Sequence, residues 1–295
     1  MSFEITTNFV QQYRSNLVML AQQMPSRLEM AVLSEPVTGT TAWYDQIGTA
    51  VAQRITERHG NTPIANIAHR RRRIDVLSYN TGELIDGADR VRMLADPSSS
   101  YAQALVAAMN RQKDDLIIAQ FFASANTGAD GTTAVAFPAG NQVAVNSWRY
   151  GSGTGNAGLT VSKLIEAKIL LDAAEVDEND RYIVCAAKQL GDLLGTTEVT
   201  SSDFNAVQAL VSGKVDNFLG FKFIRSERLA TDGSGYRRVA AWQKNGMYLG
   251  KNQDITAEIA KRADKNFSVQ AYYEMTMGCA RVEEARVIEI KCLES

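Results

Sequence analysis

Only three cysteines, five prolines and two histidines occur in the 295 residues, and neither sign of charge accumulates, since 31 Lys+Arg stand against 33 Asp+Glu. Cys185, Cys279 and Cys292 are odd in number and form no C-x-x-C pair, which argues against a disulfide framework or a zinc site and fits a reducing compartment. A net charge of -2 excludes a protein whose whole surface grips nucleic acid electrostatically, and leaves room only for a local basic patch. Long apolar runs are missing as well. The longest, LIIAQFFASA at 116–125, is broken by Gln120, and the N-terminal MSFEITTN lacks a basic-then-apolar leader, so a soluble chain is expected. H-E-x-x-H, G-x-S-x-G and G-x-x-x-x-G-K-[ST] are all lacking, and His59 and His69 stand ten apart in an extended stretch, so no catalytic residue, metal or cofactor is expected.

What is present is the composition of a folded chain, 45% hydrophobic and 22% charged, long enough for one large domain or two modest ones. Phe9, Tyr13, Leu17 and Leu20 recur at helical spacing between a cap at Thr6 or Thr7 and a stop at Pro25. From Arg27 to Asn80 the pattern turns to strand-like alternation with turns at Gly39, Gly48 and HGNTP (59–63). Asp96 as cap and Pro97 at the first helical position open a long helix over 97–125, with Tyr101, Leu105, Met109, Leu116 and Phe121 near one stripe.

Residues 126–158 are rich in Gly, Ala, Thr and Asn and hold a short strand at QVAVNSW. A helix is predicted in LTVSKLIEAKILLDAAEV, a buried strand at RYIVCAA (181–187), a short helix at KQLGDLLG and a capped helix in SSDFNAVQALVSG. Strands are predicted at FLGFKFIRS and RRVAAWQ around the turn TDGSG, and KNG (244–246) reads as a hairpin opening into MYLGK. Beyond it Phe267, Val269, Ala271, Tyr273, Met275 and Met277 share one strand face, as do Ile288, Ile290 and Cys292. Helices and strands are segregated, so the class is α+β.

Three patterns invite chemistry. GSGTGNAG places Gly153, Gly155 and Gly158 in G-x-G-x-x-G spacing before a helix, but Ser147 to Tyr150 separate it from the preceding strand, and RYIVCAA ends in Lys188 and Gln189 where an acid for the ribose is wanted. The pairs Asp114-Asp115 and Glu283-Glu284 point to opposite sides of any element and read as ion-pair partners or solvated charges. The run Arg70, Arg71, Arg72, Arg73 in AHRRRRIDVL puts guanidinium groups on both faces of a strand, which must then stand at a sheet edge or project from the body. Over 54–92, with Arg54, Arg58, Arg90 and Arg92, eight basic residues face five interleaved acids, a pattern closer to carboxylate pairing than to a DNA arm. Contact with another protein chain, nucleic-acid binding and a solvated edge all remain open.

The succession of terminal helix, extended arm, long capped helix, Gly-rich stretch, compact mixed sub-domain and returning strands resembles the major capsid proteins of tailed bacteriophages, which have the Hong Kong 97-type fold. The resemblance is carried by AWYDQIG (42–48), TERHGNTP (56–63), HRRRRIDV, RVRMLADPSSSYAQALVAAMNRQKDDLIIAQFF and LGFKFIRSERL (219–229), in that order. It implies an N-terminal arm (1–41), an extended loop (42–92), a peripheral domain (93–179 and 266–295) with spine helix 97–125, and an axial domain (180–265). It also implies hexamers and pentamers of an icosahedral head around double-stranded DNA, built in the host bacterial cytoplasm, with a portal protein, a decoration or cement protein, and no membrane. Met1 lies only about forty residues ahead of the loop, so the scaffolding protein is expected to be separate. The loop has no lysine between 42 and 92, so crosslinking through it is not expected. In this setting Arg54, Arg58 and Arg70 to Arg73 become candidate inter-subunit contacts. An encapsulin-like bacterial compartment shares the fold. A nucleotide-binding oxidoreductase using GSGTGNAG and a DNA-binding regulator using the arginines are the rivals of other classes.

Overall fold

The structure, a computed structural model, describes residues 22–58, 60–62, 64–85, 98–195 and 217–294. The predicted N-terminal helix, the cap at Asp96 and Pro97, His59, Arg90, Arg92 and the predicted helix in SSDFNAVQALVSG lie outside the described residues. In chain order the elements are β1 (Leu33–Pro36), β2 (Thr41–Ile47), β3 (His69–Asp75), β4 (Leu77–Ile85), α1 (Ser98–Phe121), β5 (Ala125–Thr127), β6 (Thr133–Val135) and β7 (Gln142–Val143). There follow α2 (Val161–Ala173), β8 (Arg181–Cys185), α3 (Ala187–Leu194), β9 (Asn217–Phe218), β10 (Phe221–Arg225), β11 (Arg237–Gln243), β12 (Met247–Arg262), β13 (Ser268–Arg281) and β14 (Val287–Cys292). They form the expected α+β architecture, with strands ordered β1-β12-β13-β4, β7-β14-β11-β8-β10-β9 and β2-β3-β5-β6 in three sheets.

Helix α1 consists mostly of strong helix formers and lays Met109, Ile117 and Phe121 on the β12–β13–β4 face. On that face Ala271, Tyr273, Met275 and Met277 are buried, following the strand alternation. Another side of α1 holds the chain entering from the N-terminus. The fully buried Asp114 carboxylate accepts Ser26 Oγ at 2.6 Å and the backbone N–H groups of Arg27 and Leu28, while Asn110 donates to Met24 O at 3.0 Å. Lys113 then joins α1 to Glu29 and, at 2.6 Å, to Asp254 of β12. The Trp242 indole closes the assembly by donating to Ala31 O at 2.8 Å and packing on Phe121 with ring centres 4.6 Å apart.

Four expectations need correction. Helix α1 ends at Phe121 and not at 125, because the buried Arg281 guanidinium takes the carbonyls of Phe121 and Ala123 at 2.9 and 2.8 Å and the chain turns into β5. FLGFKFIRS is two strands: Leu219 (φ 52°) and Gly220 (φ 84°) form a tight turn between β9 and β10, a left-handed pair not signalled by any Asn-Gly or Asp-Gly. KNG opens no hairpin. It is a 3-10 corner carrying the chain from β11 in the six-stranded sheet to β12 in another, and a Cβ at Gly246 would lie 2.7 Å from Arg286 Cβ. Phe267 does not face inward; it sits at φ 56° in the turn between β12 and β13 and is 69% exposed. The boundary expected at 265/266 falls in this same turn, between strands paired from Met247↔Arg281 to Arg262↔Ser268.

Candidate assembly interface

The arm is a β2–β3 hairpin paired from Thr41↔Asp75 to Ile47↔His69 and closed by Gly48 N–H donating to Ala68 O at 2.8 Å. Beyond that bond the described residues between 49 and 68 have no regular structure. Ile47 at the end of β2, and Val51, Ile55 and Ile64 beyond it, are 71%, 80%, 87% and 94% exposed. Burying an aliphatic side chain of this size is worth roughly 1.5–3 kcal/mol, and these four leave that stabilisation unused among the described residues. Sequence reading did not single out these four residues, because without the fold nothing separates them from ordinary core positions.

The arginine run is placed otherwise than expected. β3 is not an edge strand, since it pairs with β2 on one side and with β5 at Arg72↔Thr127 and Arg73↔Asn126 on the other. One of its faces is partly a core face. Arg72 and Ile74 on it are 3% and 1% exposed, and the guanidinium is buried by donating Nε to Val282 O at 2.9 Å and Nη2 to the Glu284 carboxylate. On the opposite face Arg71 pairs with Asp45 at 2.6 Å, its Cζ 5.3 Å from the Trp43 ring centre, and Arg73 pairs with Asp75 at 2.8 Å. The hydrogen bond from Arg71 holds the Asp45 carboxyl below its ordinary value. Three of the four arginines thus meet a carboxylate in their own chain. Arg70, Arg54 and Arg58 are exposed and make no ion pair among the described residues. Two grooves flank the arm root, of about 850 Å³ and about 710 Å³, and Arg70 lines both of them.

The acid pairs serve as anchors. Asp115 bonds Arg228, Glu283 bonds Arg286 and Glu284 bonds Arg72, as ion-pair partners should, whereas Asp114 takes uncharged donors. The arm thus exposes aliphatic and basic side chains and is held at its root by the ion pair of the buried Arg72. The family model for phage capsid proteins matches residues 5–294. This chain is a member of the phage capsid protein family.

Solved structures similar to this capsid protein include the capsid of cyanophage P-SCSP1u, at 17% identity and TM-score 0.72, over 95% of this chain and 92% of that one. The cyanophage Pam1 capsid matches at 14% identity and TM-score 0.68 over 99% and 98% of the two chains. The capsid of Ralstonia phage GP4 matches at 9% and 0.68 over 95% and 94%. At such identities the likeness shows a shared fold. A search of curated proteins returns no match.

The remaining motifs of this capsid protein serve its packing. In GSGTGNAG a Cβ on Gly153 would collide with the Trp148 ring and one on Gly158 with the Asp192 carboxylate, while Gly155 holds φ 82° and its carbonyl accepts Trp148 Nε1–H at 2.9 Å. The glycines let a tryptophan and an aspartate lie against backbone. Among the described residues no group of three or more His, Cys, Asp and Glu side chains comes together as a metal site, and no helix is long and apolar enough to cross a membrane. The three thiols are buried. Burial pushes Cys185 and Cys292 up to about 12 and raises Cys279 further, so almost no thiolate exists near neutrality. A disulfide-exchange reagent at about pH 8 should therefore find almost no reactive thiol in the native subunit and all three after denaturation, and one fast thiol in the native protein would contradict this burial.

Proposed function

We propose that this capsid protein is the major shell subunit of a tailed phage, assembling as hexamers and pentamers into an icosahedral head around double-stranded DNA. The observation that carries the reading is the arm, whose aliphatic side chains at Ile47, Val51, Ile55 and Ile64 stay exposed among the described residues. A closed shell built from heterologous contacts supplies cover for them at every position. In this reading the arm lies across a neighbour, and α1 with the long β12–β13 hairpin forms the peripheral domain. Residues from about 180 to 265 contain the axial domain meeting its copies around five-fold and six-fold axes, and the pairing of β12 with β13 supports a narrower span for it that ends near 243. Assembly takes place in the host bacterial cytoplasm with a separate scaffolding protein, a portal and a decoration protein as partners. A net charge of -2 suits a wall that must not hold packaged DNA by non-specific attraction.

The test is electron microscopy of the protein produced with its scaffolding partner. Closed isometric shells are expected, and nuclease-protected DNA inside phage-derived particles separates a genome container from a compartment loaded with protein cargo. A chain that stays monomeric or dimeric at high concentration with its scaffold overturns the reading.

A further inference from the structure

We propose that arm segment 51–58 of one copy docks on the outer face of α2, and on the acidic turn that follows it, in a second copy. The inference rests on the capsid reading and adds which surface receives the arm. Helix α2 turns Leu164, Ala167 and Leu171 inward, all fully buried. Ile165, half-buried, and Ile169, 40% exposed, stand four residues apart on its other side. Past Ala173 the chain forms a turn in which Glu175, Asp177 and Glu178 are exposed. The acids at either end of this stretch are neutralised, Asp172 by Arg181 and Lys168 and Asp180 by Lys222. Glu175, Asp177 and Glu178 pair with no cation among the described residues. An apolar strip therefore runs into a cluster of uncompensated negative charge.

The arm carries the complement. VAQRITER (51–58) spaces Val51 and Ile55 four apart and Arg54 and Arg58 four apart, all four of them exposed. Wound helically against a partner, such a segment offers Val51 and Ile55 to Ile165 and Ile169, and Arg54 and Arg58 to the Glu175, Asp177 and Glu178 cluster at the end of that strip. Aliphatic burial supplies affinity, and the charges select register and exclude other surfaces. Val51 and Ile55 are 80% and 87% exposed in the folded subunit, so its own α2 does not cover them and the receiving helix belongs to another copy. Donor and receiver are different surfaces, the heterologous arrangement that closes rings.

The full-length protein with Ile55→Cys and Ile169→Cys, oxidised after assembly, tests this, the native thiols being buried. Shells should give a ladder of covalent oligomers on a non-reducing gel, at least tenfold stronger than unassembled subunits, and the single variants should give none beyond a dimer. Normal shells without a ladder, or a monomer closed on itself by an internal disulfide, overturn the docking alone. A wild-type chain that forms no shells overturns the capsid reading and the docking with it. Reversing Arg54→Glu and Arg58→Glu together should cut shell yield at least tenfold while leaving circular dichroism unchanged. Adding Glu175→Arg and Glu178→Arg in the same chain should restore shells, and failure to recover them counts against the pairing.

Discussion

Lys163→Ala should leave the subunit barely folded. This lysine is fully buried in the first turn of α2, and its ammonium donates to Ala157 O at 2.7 Å, Gly158 O at 2.9 Å and Lys291 O at 2.9 Å. One side chain thus joins the glycine loop, the start of a helix and strand β14. Truncation takes the donor from the Gly158 and Lys291 carbonyls, while Ala157 O keeps the Leu293 N–H at 3.0 Å, and it leaves a cavity in their midst; unpaired groups at about 1–3 kcal/mol each and the cavity together cost about 3–5 kcal/mol. Domain stability is roughly 5–15 kcal/mol, so most of the margin goes. Urea unfolding of Lys163→Ala and Lys163→Met measures it. Both should unfold at much lower urea, Met less so because its stem still fills the space, and a Lys163→Ala unfolding free energy within about 1 kcal/mol of wild type would remove the lysine from this role. Burial lowers the Lys163 pKa from 10.5, opposed by Cys292, Asp192 and Glu166. The folded state therefore holds this proton less tightly than the unfolded chain, and this group's contribution to stability rises with pH between its folded value and 10.5.

How much of this could be read beforehand depends on whether the information was local. The caps, glycines and periodicity that mark α2, β8, α3 and the alternation of β13 are local, and the structure places these elements as expected. The stop of α1 at Phe121 was not local, since it depends on Arg281, 160 residues away in sequence, reaching the Phe121 carbonyl. The corner at Lys244–Gly246 failed for a related reason: a short polar-Gly turn between two strands looks the same whether they pair with each other or part into different sheets. At the arm, the arginine run was visible but its division was not. Strand alternation separates Arg70 and Arg72 from Arg71 and Arg73, yet only the fold shows that Arg72 lies under the β13–β14 connection while Arg70 stays exposed. Asp45, Asp75 and Glu284 turn out to be the partners within the chain. Of the run only Arg70, and beside it Arg54 and Arg58, are left without an ion pair among the described residues.

Arg72→Ala should free the arm from the body, and it separates structural from exposed arginines in one experiment. The Arg72 guanidinium ties β3 to Val282 O and Glu284, its side chain 4% exposed against 21% for the glutamate. Losing it leaves the partly buried Glu284 carboxylate unpaired, while Val282 O keeps the Gln46 side-chain N–H, at a cost of about 3 kcal/mol. Arg71→Ala removes a pair whose side chains are 46% and 65% exposed and screened by water, and should leave stability almost unchanged. Glu284 can regain water more readily than Arg72, so Glu284→Gln should fall between the two. A double-mutant cycle of Arg72→Ala with Glu284→Ala should show positive coupling, the two losses together being smaller than their sum. Limited trypsin digestion reads the arm itself. Cleavage after Arg54 and Arg58, exposed in any case, should change little, whereas cleavage after Arg70 and Arg73 should become fast only in Arg72→Ala, because those bonds lie in a paired strand that must open first. Equal protection of Arg70 and Arg73 in Arg72→Ala and wild type would mean that the β5 ladder and the Gln46 bond to Val282 O hold the arm without it, and that the buried ion pair adds nothing to its orientation.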